Sequence, residues 1–176
     1  MAEIGIILGS DTDLPKISGC FTTLEEFGVT YEIIISSAHR SPEKTREWAL
    51  SARAKGFRAL IAVAGGAAHL PGVVASHTTL PVIGVPVETT VSGGLDSILS
   101  IIQMPAGIPV AAMPAGKSGG TNAALFAVQI LSLSDSSYAE KLTAYRKKIA
   151  DDISAKNEKL KSLGHMEYIK SLEAKK

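Results

Sequence analysis

Short apolar segments recur along the chain, and each is followed by a turn rich in glycine or proline and then by a segment that can form a helix. Five such segments are present, at residues 4–8, 31–35, 59–64, 81–87 and 108–113. They are rich in β-branched residues and carry few polar side chains, which is typical of strands buried on both faces. The pattern predicts a parallel sheet that is covered by helices on both faces.

The intervening segments have the spacing of amphipathic helices. The apolar stripe of the first one consists of Leu14, Ile17, Phe21 and Leu24. Gly28 is predicted to end this helix. In the second, Pro42 stands at a favoured first-turn position, Trp48 and Ala52 can face the sheet, and Gly56 is predicted to close the helix. The alternation predicts a three-layer αβα domain of the flavodoxin-like or Rossmann-like class, with a parallel sheet and a long C-terminal helix.

The chain changes character after residue 135, where an otherwise highly charged segment carries a single apolar stripe. The stripe consists of Tyr138, Leu142, Tyr145, Ile149 and Ile153. Its spacing predicts a long amphipathic helix, and the end of the chain predicts a short helix with a frayed tail. We therefore expect a core domain over residues 1–135. Residues 136–176 are expected to form a helical extension that packs on the core or on a neighbouring subunit.

The composition limits the possible partners. The chain has 18 basic and 17 acidic residues and a formal charge of +1, which gives no general attraction for nucleic acid or for an anionic membrane. No apolar run approaches the roughly 18 residues that span a bilayer, and no basic segment precedes a long apolar one at the N-terminus. The single cysteine, Cys20, excludes an intramolecular disulfide and a cysteine-based zinc site. We expect a cytoplasmic protein that binds neither nucleic acid nor membrane.

The candidate chemistry lies in the turns that follow the predicted strands. Ligands of open parallel sheets bind outside the carboxyl ends of the strands, where these turns converge. The turns are GSDTD (9–13), SSAHRSP (36–42), GGAAHLPG (65–72), ETTVSGGLDS (88–97) and PAGKSGGTN (114–122). The last turn contains Gly116-Lys117-Ser118, which resembles the end of a phosphate-binding loop. That loop needs a glycine five positions before Gly116, and this chain has Ala111 there. This difference argues against a nucleoside triphosphatase.

The turn SSAHRSP carries the strongest candidate site. Arg40 offers a planar fork that matches phosphate oxygens, Ser37 adds a hydroxyl, and His39 is the type of side chain that exchanges protons near neutral pH. The structural alternative is a solvated arginine beside a histidine that caps the end of a strand. Local physical arguments leave the two interpretations balanced.

Two neighbouring turns carry weaker signals of the same kind. In GSDTD, Ser10, Thr12 and Asp13 can simply cap the following helix; alternatively, Ser10 and free amides hold a phosphate while Asp13 accepts hydrogen bonds from a sugar. In GGAAHLPG, small residues let a ligand approach the backbone closely, and His69 is the first larger side chain. A histidine alone is more often structural, but two histidines on neighbouring turns of one crevice favour a functional site.

Taken in order, these segments resemble the PurE family of purine biosynthesis. The matching segments are GSDTD, SAHRSP, AGGAAHLPG, LPVIGVPV, GLDSILSIIQMPAGIPVA and NAALFAVQIL. They cover nearly the whole chain to about residue 133, in the family's order and with similar spacing. The intact turn GGAAHLPG is similar to that of the class I branch, the N5-carboxyaminoimidazole ribonucleotide mutases. The other branch fixes free CO2 and typically has a different sequence there.

The resemblance implies an isomerase that moves a carboxyl group from N5 to C4 of the imidazole ring, through release of CO2 and its recapture in a closed site. It implies a ribonucleotide substrate, no cofactor and no metal ion, and a homo-octamer with sites at subunit contacts. Two alternatives stay open. One is an enzyme that carboxylates aminoimidazole ribonucleotide with free CO2, and the other is a non-catalytic protein that binds a phosphorylated ligand.

The resemblance also implies roles for individual residues. His39 is the expected general acid and base, which protonates the departing nitrogen and later removes the C4 proton. The expected anchors of the ribose phosphate are Ser10, Asp13, Ser37 and Arg40, with Thr12 at the position of a family serine. The expected lining of the pocket for the ring and the transient CO2 is Ala64, Gly65, His69 and Leu70.

Overall fold

A parallel sheet of five strands forms the centre of the molecule. The computed structural model describes residues 1–174, and its strands are β1 (Ile4–Leu8), β2 (Tyr31–Ile35), β3 (Ala59–Ala64), β4 (Val82–Pro86) and β5 (Ala111–Ala112). Their order is β2-β1-β3-β4-β5, and every neighbouring pair is parallel. This is the strand order of the flavodoxin-like fold, with its switch point between β1 and β3. The predicted fold class is confirmed.

Helices cover both faces of the sheet. Within residues 1–174 they are α1 (Ser18–Phe27), α2 (Pro42–Ser51), α3 (Leu70–Ser76), α4 (Leu95–Ile102), α5 (Lys117–Ser132) and α6 (Ser136–Glu173). α1 and α5 bury one hydrophobic core, and α2, α3 and α4 bury the other. Successive side chains of β1 alternate between them, with Ile6 in the first core and Ile7 in the second. Trp48 and Ala52 lie in the second core, as predicted.

The helix boundaries follow the turn residues with one exception. Gly28 ends α1 in the left-handed region, at a φ of 71°, and α2 begins at Pro42, both as predicted. The prediction that Gly56 closes α2 is wrong, because the helix ends at Ser51. The following residues form turns, and Gly56, at a φ of 87°, then lets the chain reverse so that Phe57 is buried.

The two edge strands differ from the prediction. β2 was expected to be buried on both faces, yet Ile33 and Ile35 are 41% and 44% exposed. β2 lies at the edge of the sheet, and α1 covers this face at Tyr31, where Phe21 stacks on the tyrosine ring. The predicted strand 108–113 is reduced to β5. Pro109 has no N–H to donate to a ladder, which accounts for the late start of this strand.

The first turns of α6 pack on the core, and the rest of the helix is exposed. Asp135 caps its N-terminus by accepting the N–H of Ser137 at 2.9 Å. Tyr138 is buried, and the ring of Tyr145 packs on Phe27 at a centroid distance of 5.5 Å. Beyond this point the predicted stripe faces solvent, with Ile153 59% exposed. The stripe is therefore divided into an inner, packed part and an outer, uncovered part.

The C-terminal segment bends within α6. Gly164 has a φ of 73° and a ψ of 158°, which interrupts the helix and starts a shorter helical segment that reaches Glu173. The last two residues of the predicted extension 136–176, at 175 and 176, lie outside the described residues. Among the helices described, none combines the length and the apolar character needed to cross a membrane.

Candidate active site

A cavity of about 480 Å³ opens at the carboxyl edge of the sheet, where the turns after β1, β2, β3 and β4 meet. Its position agrees with the site expected for an open parallel sheet. Every predicted site residue except Thr12 lines it, namely Ser10, Asp13, Ser37, His39, Arg40, Ala64, Gly65, His69 and Leu70. The fold thus brings together residues from three separate turns, and the roles of these residues stay predictions.

The turn after β1 combines capping with a place in the cavity. Ser10 caps a 3-10 turn by accepting the N–H of Thr12 at 3.3 Å, and the two hydroxyl oxygens lie 2.8 Å apart. Thr12 therefore supports Ser10 from outside the cavity lining. The carboxylate of Asp13 is buried, and Lys16 lies one helical turn on, with Nζ 3.4 Å from Oδ1. The capping and the ligand-binding interpretations of this turn are compatible.

The turn after β2 is held by a network of hydroxyl groups. Ser37 Oγ accepts the N–H groups of His39 and Arg40, each at 3.3 Å. Behind it, Ser41 Oγ accepts the N–H of Ser37 at 2.9 Å and lies 3.0 Å from Ser36 Oγ. These bonds fix the backbone that carries the histidine and the arginine.

Arg40 is positioned by a backbone carbonyl and not by a carboxylate. Its Nη2 donates to the carbonyl oxygen of Gly9 at 2.8 Å, which draws the guanidinium across to the turn after β1. Within residues 1–174 it forms no ion pair. Its remaining N–H groups and its full charge are therefore available to an anion at the cavity.

The two histidines form a direct pair. Nε2 of His39 lies 2.8 Å from Nδ1 of His69, and the rings meet edge to face at a centroid distance of 4.9 Å. At this distance one nitrogen donates a hydrogen bond and the other accepts it, because two protonated nitrogens would repel each other. The contact therefore joins the two imidazole rings by a hydrogen bond within the cavity.

Some lining residues were missed by the sequence reasoning. Lys16 lines the cavity, and its only sequence signal is its spacing of three residues from Asp13. Glu88 and Thr89 come from the turn after β4, which was collected as a candidate turn without any residue being assigned. They reach the cavity because Val87 extends the path of β4, its N–H donating to the carbonyl of Ala64 at 2.9 Å, which the sequence alone does not show. The rim therefore carries both signs of charge.

The fold defines a flavodoxin-like α/β protein with a cavity at the carboxyl edge of its sheet. The sequence model of the AIR carboxylase family matches residues 3–152. The chain belongs to this family, which is the PurE family that its motifs resemble.

The similarity extends to individual relatives and to a solved structure. An N5-carboxyaminoimidazole ribonucleotide mutase from Thermotoga maritima is 46% identical over 98% of this chain and 100% of its own length. A phosphoribosylaminoimidazole carboxylase from Saccharomyces cerevisiae is 47% identical over 96% of this chain, which spans 29% of that longer protein. The crystal structure of Treponema denticola PurE superposes with a TM-score of 0.82 at 29% identity, over 92% of this chain and 99% of that one.

Proposed function

We propose that this protein is an N5-carboxyaminoimidazole ribonucleotide mutase, an isomerase of purine biosynthesis. It converts N5-carboxyaminoimidazole ribonucleotide (N5-CAIR) to 4-carboxy-5-aminoimidazole ribonucleotide (CAIR). The observation that carries the proposal is the histidine pair together with Arg40 in one cavity, in a chain that matches a mutase over 98% of its length.

The proposed reaction needs one proton carrier and a closed space. The bond between N5 and the carboxyl carbon breaks, its electron pair stays on N5, CO2 is released and His39 gives a proton to N5. Electrons of the ring then form the bond from C4 to the same CO2, and His39 takes the C4 proton, so the histidine returns to its starting state. His69 can hold His39 in orientation through the 2.8 Å contact. This series of reaction steps needs no oxidant, no metal ion and no cofactor.

Two groups of lining residues suit the two parts of this substrate. Ser10, Asp13, Ser37 and Arg40 supply hydroxyls, a carboxylate and a cation for the ribose phosphate. A second group of lining residues, Ala64, Gly65, Gly66 and Ala67, has almost no side chain and leaves room for a flat ring and CO2. We therefore assign the substrate phosphate to the first group and the imidazole to the second.

One observation favours a second candidate. The yeast relative is named a phosphoribosylaminoimidazole carboxylase, so carboxylation of aminoimidazole ribonucleotide (AIR) by free CO2 is the alternative activity. This chain matches only 29% of the yeast protein. The carboxylase activity of that protein can depend on the part that this chain does not match. The mutase matches end to end, which is why we prefer the mutase activity.

The two activities are separated by their substrates. We expect the protein to convert N5-CAIR to CAIR in buffer freed of bicarbonate, and to convert AIR only when bicarbonate is added at high concentration. The measurement is the formation of CAIR by absorbance or chromatography. Failure to form CAIR from N5-CAIR under these conditions, together with turnover of AIR and bicarbonate, contradicts the mutase proposal and supports the carboxylase.

We also propose a homo-octamer in which the C-terminal extension that begins at residue 136 contacts a neighbouring subunit through α6. Two uncovered apolar surfaces support this proposal. One is on α4, where Leu95, Leu99 and Ile102 follow one stripe, and the other is the outer part of α6, where Ile149 and Ile153 face solvent. Exposed stripes of this kind mark contacts between chains.

A further inference from the structure

A buried serine on α4 links two of the turns that line the cavity. Ser97 is 0% exposed and lies in the first turn of α4. It stands just behind the cavity lining. A buried hydroxyl must find partners for its oxygen and its proton, so its bonds show what it holds in place.

The hydroxyl of Ser97 makes one bond to each of two turns. Its oxygen accepts the N–H of Gly66 at 2.9 Å, and its O–H donates to the carbonyl of Val87 at 2.8 Å. Gly66 follows β3 and has a φ of 68°, a backbone conformation that favours glycine. One side chain therefore satisfies a backbone donor after β3 and a backbone acceptor after β4.

Other polar groups at the start of α4 support the same arrangement. Thr89 Oγ1 donates to Asp96 Oδ1 at 2.7 Å, which ties the turn after β4 to the helix. This hydrogen bond holds the pKa of Asp96 below its ordinary value, so the acceptor stays ionised at neutral pH. Ser100 Oγ lies 3.3 Å from the carbonyl oxygen of Gly66. Both turns are thus bonded to one helix, and Ser97 joins them directly.

We infer that Ser97 is a positioning residue for the carboxyl transfer, which fixes the small-residue wall at Gly65 and Gly66 against the end of β4. The inference rests on the proposed mutase function, because this wall bounds the space in which CO2 is released and recaptured. Ser97 acts through the two backbone groups that it bonds. The phosphate anchors Ser37 and Arg40 lie on a different turn and are not touched by it.

Replacement of Ser97 by alanine removes the partner of the part-buried Gly66 N–H and of the buried Val87 carbonyl. We expect kcat to fall about 10- to 100-fold. The KM for N5-CAIR stays within about twofold, because the anchors of the ribonucleotide are unchanged. A larger share of turnovers ends in AIR and escaped CO2, since the wall no longer holds the gas against the ring.

The experiment uses the full chain and N5-CAIR labelled with carbon-13 in its carboxyl group. The label is measured in CAIR and in the CO2 trapped from the medium, and the uncatalysed loss without enzyme is subtracted. The variants are Ser97→Ala and Ser97→Cys, whose thiol has a similar size and bonds more weakly, so its effect is expected to lie between serine and alanine. Ser132→Ala is the matched control, because its hydroxyl donates to Gln129 within α5, at the far end of the sheet.

The outcomes separate this inference from the proposed function. Increased loss of label with an unchanged KM supports it. A folded Ser97→Ala variant that matches the native kcat and label retention contradicts it, as does a fall in kcat accompanied by a parallel rise in KM with no extra loss of label. If the alanine variant does not fold, Ser97→Cys decides between the same results. A native protein that forms no labelled CAIR overturns the proposed function first, and the inference with it.

Discussion

At the scale of single residues, the site depends on groups that hold one another at hydrogen-bond distance. His39 is carried by a turn whose N–H groups bond to Ser37, and its ring meets His69. Arg40 reaches the same cavity by donating to the carbonyl of Gly9. The chemistry proposed for His39 therefore has a direct test, in which its proton transfer is removed and the anchors are retained.

We predict that His39→Asn abolishes turnover of N5-CAIR while the ribonucleotide still binds. Asparagine is polar and of similar length but does not take up a proton near neutral pH. We expect kcat to fall at least about 100-fold, which is a typical contribution of general acid and base catalysis. Binding of AIR, measured by calorimetry, should change by less than about tenfold.

His77→Asn is the matched control, because His77 follows α3 at the opposite end of the sheet. It should retain native kcat and binding. If His39→Asn turns over at the native rate, the assignment of the proton carrier is wrong. A native protein that binds AIR but converts neither substrate would instead indicate a non-catalytic binding protein.

The reactivity of Cys20 is set by its burial in the protein core. It lies at 0% exposure in the core beneath α1, and burial raises the pKa of its thiol to about 12. At neutral pH it is a neutral, small apolar group. Cys20 is therefore part of the first core and is not suited to act as a nucleophile.

At the scale of elements, the junction between α6 and the sheet rests on a few specific bonds. Tyr138 donates its phenolic proton to Glu3 Oε2 at 2.8 Å, and Lys141 donates to the carbonyl of Phe27 at 2.6 Å, at the end of α1. The pKa of Tyr138 is raised to about 12, by burial first and by its bond to Glu3 second. These contacts fix the direction in which the long helix leaves the core.

We predict that Tyr138→Phe lowers the free energy of unfolding by about 1 kcal/mol near neutral pH, because the ring remains packed and one hydrogen bond is lost. The raised pKa means that the native phenol favours its protonated form. Its stabilising effect is therefore complete below the pKa of the unfolded tyrosine, near about 10, and is lost as the pH rises towards about 12.

The measurement is urea unfolding of both proteins at about pH 8 and at about pH 11, followed by circular dichroism. The difference between them should shrink at the higher pH. Tyr168→Phe, on the last helical segment, is the control and should leave stability unchanged at about pH 8. Equal stability of Tyr138→Phe and the native protein at about pH 8 contradicts the prediction.

At the scale of the whole molecule, the single chain leaves apolar surface that its own core does not cover. Leu95, Leu99 and Ile102 on α4 are 48%, 47% and 59% exposed, at the spacing of one helical face. The exposed side chains of β2 and of the outer part of α6 add to this surface. Such surface is buried at low cost when identical chains assemble.

We predict that the native protein has a mass in solution of eight times the 18.4 kDa of one chain. Leu99→Lys should lower the measured mass, because assembly would have to desolvate a charge on the apolar face of α4. Light scattering gives the mass, and circular dichroism checks that the helices persist.

Leu133→Lys is the control, since Leu133 is 87% exposed in the turn before α6 and lies off this stripe. It should keep the native mass. A native protein that runs as a monomer contradicts the octamer, and a Leu99→Lys variant with unchanged mass shows that the α4 stripe is not the contact.

Patterns in the amino-acid sequence were sufficient to predict the fold class, the positions of β1 to β4 and nine of the residues that line the cavity. This was possible because strands such as Ala59–Ala64 are apolar throughout, glycine and proline mark the turns, and parallel strands bring those turns to one edge. The end of α1 at Gly28 was predicted correctly, whereas the same pattern at Gly56 did not mark the end of α2.

Features that depend on neighbours distant in the chain could not be predicted from local patterns. Ile33 and Ile35 have the apolar character of buried residues, but they are exposed because β2 lies at the edge of the sheet. The pairing of His39 with His69 joins residues 30 positions apart, and the bonds of Ser97 join α4 to the turns after β3 and β4. Hydrophobic periodicity and residue propensity reflect interactions within a few residues, whereas these contacts arise from the packing of whole elements. Local patterns in the sequence therefore do not predict them.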